Sequence, residues 1–321
     1  MMEEKKLVSF VIPCYRSEHT IRGVAAEIRE TMAALPQYEW ELVLVNDCSP
    51  DGTFAVLRQL TEEDAHITAV DLAKNFGQHA ALMCGMRHAR GDYVVCLDDD
   101  GQTPADEAGK LLEKLEDGCD VVYASYENKQ ETGFRRFGSL VNGRMTEIML
   151  GKPRELELNS YFAARRFLVD EMLRYAHCYP YVMGLVLRST KRICNVPVTH
   201  RERQAGHSGY TLSKLLGLWM NGFTSFSVKP LRLFTWAGVI ATALGLLYTL
   251  VIVIRYFTVH LAPLGWTSTT ALLLLFGGLI LLGLGLVGEY VGRVFMCVNA
   301  TPQYVEREVL DQTARHPAPP A

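Results

Sequence analysis

Two long apolar stretches near the C-terminal end constrain this chain more than any other feature. Residues 233–257 and 268–289 are almost entirely apolar, with a single charge near the end of each. About 20 such residues cross the hydrocarbon core of a bilayer, and ordinary core helices are shorter. The connection at 260–266 contains proline, glycine and Trp266, which suits an interfacial turn. The pattern predicts a two-helix transmembrane hairpin; the alternative is a pair of buried helices in a soluble protein.

The charges around this hairpin predict its orientation. Lys229 and Arg232 precede the first span and Arg293 follows the second, and positive charge favours the cytoplasmic side. Near the N-terminus, the apolar run 7–12 is too short for the core of a signal peptide. We therefore expect a multi-pass protein of the inner, or cytoplasmic, membrane whose first domain is cytosolic.

Charge and cysteine content argue against two other classes. The net charge of −3 and the pI near 6.3 disfavour a nucleic-acid-binding protein, which carries a concentrated basic face. The eight cysteines include no pair at Cys-x-x-Cys spacing, and several lie in apolar runs. We expect them to be reduced thiols, many of them in the core.

Short apolar runs alternate with helical stretches over the first part of the chain. The runs that predict strands are 8–13, 42–46, 67–71, 93–98 and 121–124. The stretches that predict helices are 17–35, 53–63, 78–89 and 104–117. Such alternation is typical of an α/β domain with a mostly parallel sheet and helices on both faces.

This organisation predicts four parts along the chain. They are a cytosolic α/β domain at 1–211, an amphipathic juxtamembrane helix at 212–230, two transmembrane helices within 231–290 and a cytosolic tail at 291–321. The alternative for 212–230 is a helix that faces the core of the first domain. We expect the tail to be disordered after residue 309.

Three consecutive carboxylates follow the fourth predicted strand. Ligands bind at the carboxyl ends of parallel strands, and Asp98, Asp99 and Asp100 lie there. Adjacent carboxylates repel unless a cation lies among them. In an extended segment Asp98 and Asp100 point to one side, which suits Mg²⁺ or Mn²⁺. The alternative is a solvated acidic turn.

A second polar loop, at 46–52, follows the second predicted strand and precedes a helix. Asp47 is placed to hydrogen-bond a base or a ribose, while Asp51 and Thr53 are placed to cap the helix. The alternative is a plain turn with a helix cap.

Five segments together resemble one known family. They are Val11-Ile12-Pro13-Cys14-Tyr15, Val45-Asn46-Asp47-Cys48-Ser49, Lys74-Asn75-Phe76-Gly77-Gln78, Leu97-Asp98-Asp99-Asp100-Gly101-Gln102 and Gly288-Glu289-Tyr290-Val291-Gly292-Arg293. Nearly the whole chain is similar to the family-2 glycosyltransferases, in the polyprenyl-phosphate branch with dolichyl-phosphate mannose synthases and bacterial undecaprenyl-phosphate sugar transferases.

The resemblance implies a fold, a reaction and partners. The fold is GT-A, a Rossmann-like α/β domain. The reaction is an inverting, Mg²⁺- or Mn²⁺-dependent transfer of a sugar from a nucleotide sugar to a polyprenyl phosphate such as undecaprenyl phosphate, with a UDP-sugar favoured over a GDP-sugar. Bacterial relatives form tetramers, so a homo-oligomer is also implied.

The resemblance further implies roles for particular residues. Those expected to bind the nucleotide are Pro13, Tyr15, Asp47, Lys74, Asn75 and Asp98. Asp98 and Asp100 are expected to be catalytic because they hold the metal, with Gln102 joining or supporting them. Those expected to contact the acceptor phosphate are Arg135, Arg136, Arg201, Arg203 and Ser208. For each arginine the alternative is a solvated surface charge.

The chain departs from the family pattern at several positions. The mild changes are Arg16 for a frequent Asn, Asn46 for Asp and Cys48 for Gly. Where relatives carry an acceptor-side Asp, this chain has Leu156 between Glu155 and Glu157. Either glutamate is a candidate catalytic base, and the alternative is that the anionic lipid phosphate attacks without one.

Two rival functions stay open. A processive polysaccharide synthase shares the metal-binding domain but adds a Gln-x-x-Arg-Trp motif, which this sequence lacks. A non-catalytic membrane scaffold that retains a nucleotide-sugar-binding fold is favoured by the missing acceptor-side Asp. The intact Asp98 and Asp100 pair argues against that scaffold.

Overall fold

The computed structural model describes residues 5–126, 152–153, 155–199 and 265–311, together with Glu147 and individual residues between 231 and 258. The chain divides into two compact units. The first comprises Met1–Thr211 with Ala300–Ala321, and the second comprises Leu212–Asn299.

The first unit is built on an eight-stranded sheet. Its strands are β1 (Lys6–Cys14), β2 (Tyr38–Asn46), β3 (Ile67–Leu72), β4 (Tyr93–Cys96), β5 (Val121–Tyr126), β6 (Phe162–Arg165), β7 (Ile193–Val198) and β8 (Glu306–Leu310). The spatial order is β7-β5-β6-β4-β1-β2-β3-β8. Strands β4, β1, β2 and β3 are mutually parallel neighbours, whereas β6 and β8 run antiparallel to their neighbours. The mostly parallel α/β sheet predicted from the sequence is confirmed.

Helices connect the strands. They are α1 (Ile21–Ala33), α2 (Thr53–Glu63), α3 (Gln78–His88), α4 (Ala108–Glu116), α5 (Arg166–Leu173), α6 (Val182–Ser189) and α7 (Trp266–Val298), with a 3₁₀ turn at Ala105–Glu107. The four helices predicted for the first domain correspond to α1 through α4. Each crosses from one parallel strand to the next with its apolar side against the sheet, which buries the strand residues on that face.

Helix α3 packs closely against the sheet at one glycine. A Cβ built on Gly85 would lie 2.4 Å from a methyl carbon of Val11 and 3.1 Å from one of Val45. Only glycine permits this approach. The start of α3 lies beside the carboxyl end of β2, since the backbone N–H of Gly77 donates to the carboxylate of Asp47.

Strand β8 corrects the expectation of a simple tail at 291–321. Helix α7 continues to Val298, and Glu306–Leu310 pairs antiparallel with β3 at the edge of the sheet. Its residues alternate between partly buried and exposed, as expected of an edge strand that is covered on one face, and three of the five are charged. Disorder was expected after residue 309, but Leu310 is the last residue of β8; the residues after 311 lie outside the described part of the chain.

Helix α7 contains the second predicted span. Within the described residues, its segment Phe276–Val298 is the one helix long and apolar enough to cross a bilayer, judged by length and composition. Glu289 and Arg293 pair on it at i to i+4 spacing, 2.7 Å apart. Described residues within the first predicted span, 233–257, are helical, while its other residues and the helix expected at 212–230 lie outside the described part.

The expectation of eight reduced cysteines is wrong for one pair. Cys119, which precedes β5, and Cys194 of β7 form a disulfide between neighbouring strands. The remaining six cysteines form no disulfide, and three of them are buried.

Candidate functional site

The loops that follow β1, β2, β3 and β4 meet at one edge of the sheet. The backbone N–H of Tyr15, after β1, donates to the Asp99 carboxylate at 2.9 Å. The backbone N–H of Arg16 donates at 3.0 Å to Oγ of Ser49, in the loop after β2. Asn75 Nδ2, after β3, donates to the Asp47 carbonyl at 3.2 Å. Because these strands are parallel neighbours, their carboxyl ends lie side by side, as the sequence predicted.

Asp98 lies between α3 and the segment that precedes β6. Its Oδ1 accepts a hydrogen bond of 2.9 Å from Gln78 Nε2, and its Oδ2 accepts one from Ser160 Oγ. Burial is the largest cause that raises the pKa of Asp98, to about 6, and the charges of Asp100 and Asp99 add to it against the two hydrogen bonds. A carboxylate with this environment gains from a nearby cation.

The two neighbouring aspartates have different surroundings. Asp99 accepts hydrogen bonds from Ser17 Oγ and the Tyr15 backbone N–H, so it ties the acidic loop to the end of β1. Burial raises the pKa of Asp99, against those hydrogen bonds. The Oδ1 of Asp100 accepts a bond of 3.0 Å from the backbone N–H of Gln102. Asp99 therefore links the loop after β4 to the loop after β1, whereas Asp100 bonds within its own loop.

The oxygen ligands available at this edge suit a hard divalent cation. Asp98 and Asp100 supply carboxylate oxygens, the ligands that Mg²⁺ and Mn²⁺ prefer. The raised pKa of Asp98 indicates negative charge that its protein neighbours offset only in part.

Asp47 organises the loop between β3 and α3. The residue is 3% exposed. Its two carboxylate oxygens accept hydrogen bonds from the backbone N–H groups of Phe76, at 2.7 Å, and Gly77, at 2.9 Å. Burial raises the pKa of Asp47, and these two bonds oppose the rise. Asp47 therefore holds the Lys74–Gln78 segment against the end of β2.

Two of the departures from the family pattern fall on left-handed backbone. Arg16 has φ of 60° and Cys48 has φ of 51°. Asn and Gly, the residues that the family resemblance leads us to expect there, are those that adopt this conformation most readily. The backbone of both loops therefore keeps the shape that the replaced residues favour, at a cost of about 1 kcal/mol for each non-glycine residue.

The other predicted nucleotide-binding residues line the same edge. Pro13 is buried in β1, and Tyr15 is 46% exposed with the Arg16 guanidinium 5.6 Å from its ring centre. Lys74 is exposed, and its ammonium lies 4.8 Å from the centre of the Phe76 ring. A flat aromatic ring and two cations suit a base and phosphates respectively.

The acceptor-side candidates divide into described and undescribed residues. Glu155 and Glu157 are both exposed, and Glu157 lies 3.4 Å from Ser125 Oγ at the end of β5. Glu157 is three residues before Ser160, which contacts Asp98. The predicted acceptor-phosphate residues Arg135, Arg136, Arg201, Arg203 and Ser208 lie outside the described residues.

Three side chains of the site were missed in the sequence. Ser160 and Gln78 bind Asp98 directly, and Tyr126, at the end of β5, lies close enough for Asp98 and Asp100 to raise its pKa further after burial. Gln78 belongs to a matching segment, so its position was a usable signal. Ser160 and Tyr126 follow no motif, and only the fold brings them to the aspartates.

A mostly parallel sheet with an acidic loop after β4, and with a loop after β3 that the buried carboxylate of Asp47 holds in place, is the arrangement of a GT-A glycosyltransferase. The sequence model described as Glycosyl transferase family 2 matches residues 9–173, and the model described as GtrB C-terminal hairpin matches residues 229–294. The chain belongs to glycosyl transferase family 2.

Known relatives span nearly the whole chain. The undecaprenyl-phosphate 4-deoxy-4-formamido-L-arabinose transferase of Proteus mirabilis (strain HI4320) is 35% identical over 96% of this chain and 95% of its own length. The uncharacterized glycosyltransferase YkcC of Bacillus subtilis (strain 168) is 33% identical over 92% of each chain. Among solved structures, glucosyl-3-phosphoglycerate synthase of M. tuberculosis has 20% identity and a TM-score of 0.48 over 65% of this chain and 75% of its own.

Proposed function

We propose that this glycosyltransferase moves a sugar from a UDP-sugar to a polyprenyl phosphate, undecaprenyl phosphate in a bacterium, at the cytoplasmic face of the membrane. One observation carries the proposal: Asp98 and Asp100 lie at the edge of the sheet where the loops after β1, β2, β3 and β4 meet. The relatives that match 92% or more of this chain include transferases named for undecaprenyl phosphate.

The donor would lie across the ends of β1, β2 and β3. Tyr15 and Pro13 would flank the base, Asp47 and the loop that it orders would contact the nucleoside, and Lys74 would face the diphosphate. Asn75 holds the same loop through the Asp47 carbonyl, at 3.2 Å.

Asp98 and Asp100 would hold a divalent cation, Mg²⁺ or Mn²⁺, with support from Gln102. When bound, such an ion neutralises negative charge on the diphosphate leaving group. Gln78 and Ser160 orient Asp98 for this role, because each binds one of its oxygens. Asp99 keeps the acidic loop attached to β1 and takes no direct part.

In the proposed reaction an oxygen of the lipid phosphate attacks the anomeric carbon. The bond from that carbon to the nucleotide diphosphate breaks, and the electron pair leaves with the diphosphate. A single displacement inverts the anomeric configuration. Glu157 or Glu155 would serve as base if one is needed, and a lipid phosphate that is already a dianion attacks without one. Positioning and charge neutralisation would supply most of the rate enhancement.

The acceptor lies in a bilayer, so the proposal includes the hairpin and the basic residues. Residues 231–290 would form two spans, with the catalytic unit on the cytosolic side. Arg135, Arg136, Arg201, Arg203 and Ser208 would bind the lipid phosphate. A homo-oligomer, a tetramer by resemblance to bacterial relatives, is part of the same proposal.

The test is transfer of label to undecaprenyl phosphate by the full chain in detergent. The donors are radiolabelled UDP- and GDP-sugars, including a UDP-linked 4-deoxy-4-formamido-L-arabinose, with Mn²⁺ or with EDTA. We expect one UDP-sugar to label the lipid, EDTA to abolish labelling, and Asp100→Asn to reduce it by about 10²-fold or more. Asp117→Asn, on the exposed end of α4, is the control that should leave it unchanged.

Two other results would redirect the conclusion. Labelled lipid from a GDP-sugar alone would overturn the nucleotide assignment but keep the reaction. Binding of nucleotide without labelled lipid from any donor would favour the non-catalytic scaffold.

A further inference from the structure

A second group of metal-ligand side chains lies apart from the aspartates. Cys84 and His88 stand one turn apart on α3, and Glu306 is the first residue of β8. One ligand atom from each lies within 4.8 Å of the other two. Cys84 is buried, while the side chains of His88 and Glu306 are 25% and 29% exposed. Two elements that are far apart in sequence therefore bring three ligands together.

The chemistry of the three donors points to a zinc-type ion. A thiolate sulfur, an imidazole nitrogen and a carboxylate oxygen are the donors that Zn²⁺ takes in proteins. Residues at i and i+4 lie on one face of a helix, and this spacing lets two ligands reach the same ion. The aspartate site, in contrast, offers oxygen donors alone, which suit a harder ion.

The distances match those between ligands around such an ion. Zinc bonds of about 2.3 Å to sulfur and about 2.0 Å to oxygen or nitrogen, at tetrahedral angles, separate sulfur from oxygen by roughly 3.5 Å and nitrogen from oxygen by roughly 3.3 Å. Cys84 Sγ lies 3.5 Å from Glu306 Oε1, and His88 Nε2 lies 3.0 Å from the same oxygen. Little movement is needed to admit an ion.

We propose that Cys84, His88 and Glu306 form a second metal site, which binds a zinc-type divalent cation and fastens β8 to α3. Three protein ligands leave the fourth tetrahedral position to water. Binding displaces the thiol proton of Cys84, which leaves to solvent. The ion would stabilise the attachment of the C-terminal strand, and this proposal does not depend on the sugar-transfer reaction.

The test uses Co²⁺, which replaces Zn²⁺ and reports a thiolate ligand by absorption in the near ultraviolet. The full chain in detergent is first freed of metal with EDTA. We expect one equivalent of Co²⁺ to produce a thiolate-to-cobalt band and Zn²⁺ to remove it. Cys84→Ser should abolish the band, and His88→Gln and Glu306→Gln should weaken Co²⁺ binding by about 10-fold or more.

Two matched variants control for unrelated binding. Cys178→Ser removes another cysteine that lies outside the disulfide. His66→Gln removes another histidine that contacts a carboxylate, since His66 Nδ1 lies 2.8 Å from Asp64 Oδ1. Both should keep the band of the unaltered chain.

A second measurement separates this site from the aspartates. In an Asp98→Asn background, Zn²⁺ should still raise the melting temperature, and the added change Glu306→Gln should abolish that rise. A wild-type chain with no thiolate band, or a band that persists in Cys84→Ser, would overturn the proposal and leave the cluster as a hydrogen-bonded contact.

Discussion

Arg307 of β8 donates a hydrogen bond of 3.0 Å to the buried carboxylate of Asp71 on β3. The other oxygen of Asp71 accepts a bond of 2.7 Å from Asn46, the last residue of β2. Arg307 also donates to the carbonyl of Ala73, at 2.8 Å, where the loop after β3 begins. Strand β8 thus positions the loops after β2 and β3, at the edge of the sheet where the nucleotide sugar is proposed to bind.

We expect Arg307→Gln to weaken donor binding. The Asp71 carboxylate would lose a charged partner while it stays buried, which costs about 1–3 kcal/mol, and the loops that it supports would loosen. The KM for the nucleotide sugar should rise several-fold with a smaller change in kcat, measured by initial rates. Isothermal titration with UDP should show the same weakening.

Arg58→Gln is the matched control for that change. Arg58 pairs at 2.8 Å with Glu308 of β8, but both side chains are exposed. The contact lies on α2, away from the loops after β2 and β3. Exposed ion pairs contribute at most about 1 kcal/mol, so the KM should not change. An equal effect of both variants would mean that β8 acts through general stability.

We expect Cys48→Gly to stabilise the protein by about 0.5–1 kcal/mol. Cys48 has φ of 51°, where a Cβ is strained and glycine is not. Cys48→Ala keeps the Cβ and should give no such gain. Urea unfolding of both variants checks this, and an equal shift in the two would contradict the argument from backbone strain.

Two helical glycines should respond to alanine in opposite ways. Gly85→Ala should destabilise by about 1–3 kcal/mol, because the added methyl would overlap Val11 and push α3 from the sheet. Gly23→Ala on α1 meets no atom within 4 Å and should stabilise by about 1 kcal/mol through helix propensity. Thermal unfolding of the two variants shows whether each substitution lowers or raises the stability.

The response to Mn²⁺ should depend on pH. Burial raises the pKa of Asp98 from 3.8 to about 6, so the folded protein without metal holds this proton more tightly than the unfolded chain. The proton on Asp98 therefore stabilises the folded protein at low pH, and this stabilisation is lost as the pH rises through about 6. A cation binds only the carboxylate, so Mn²⁺ should raise the melting temperature more at about pH 7.5 than at about pH 5.

Asp98→Asn provides the control for this pH dependence. The amide does not titrate, so most of the difference between the two pH values should disappear in thermal melts of the variant. A Mn²⁺ effect of equal size at both pH values in the unaltered chain would contradict the raised pKa.

The central strands could be predicted from the sequence, while the outer ones could not. Strands β1 through β5 each contain a short, mostly apolar run, and the parallel order of β4, β1 and β2 places the aspartates and Asp47 at one edge. Strands β6, β7 and β8 are short or interrupted by polar residues, and β7 contains Pro197, which an edge strand tolerates. Their signal is too weak to separate them from loops.

The same limit explains what was missed in the site. Asp98 and Asp100 were found because adjacent carboxylates have a local electrostatic meaning. Ser160 is 62 residues from Asp98, and Arg307 is 236 residues from Asp71, so only the tertiary fold pairs them. The positive φ values of Arg16 and Cys48 were likewise visible in the sequence only as departures from the family pattern.

The origin of β8 sets the order in which the sheet can be completed during synthesis. β3 leaves the ribosome well over 200 residues before its edge partner, since 236 residues separate Asp71 from Arg307. Until then its outer hydrogen-bonding groups are open to other chains, a state that favours misassembly. Translation must pass through the apolar α7 before this edge can close. A fragment that stops before α7 would therefore lack the strand that shields its own sheet, and grafting Glu306–Leu310 onto such a fragment through a flexible linker should restore its solubility.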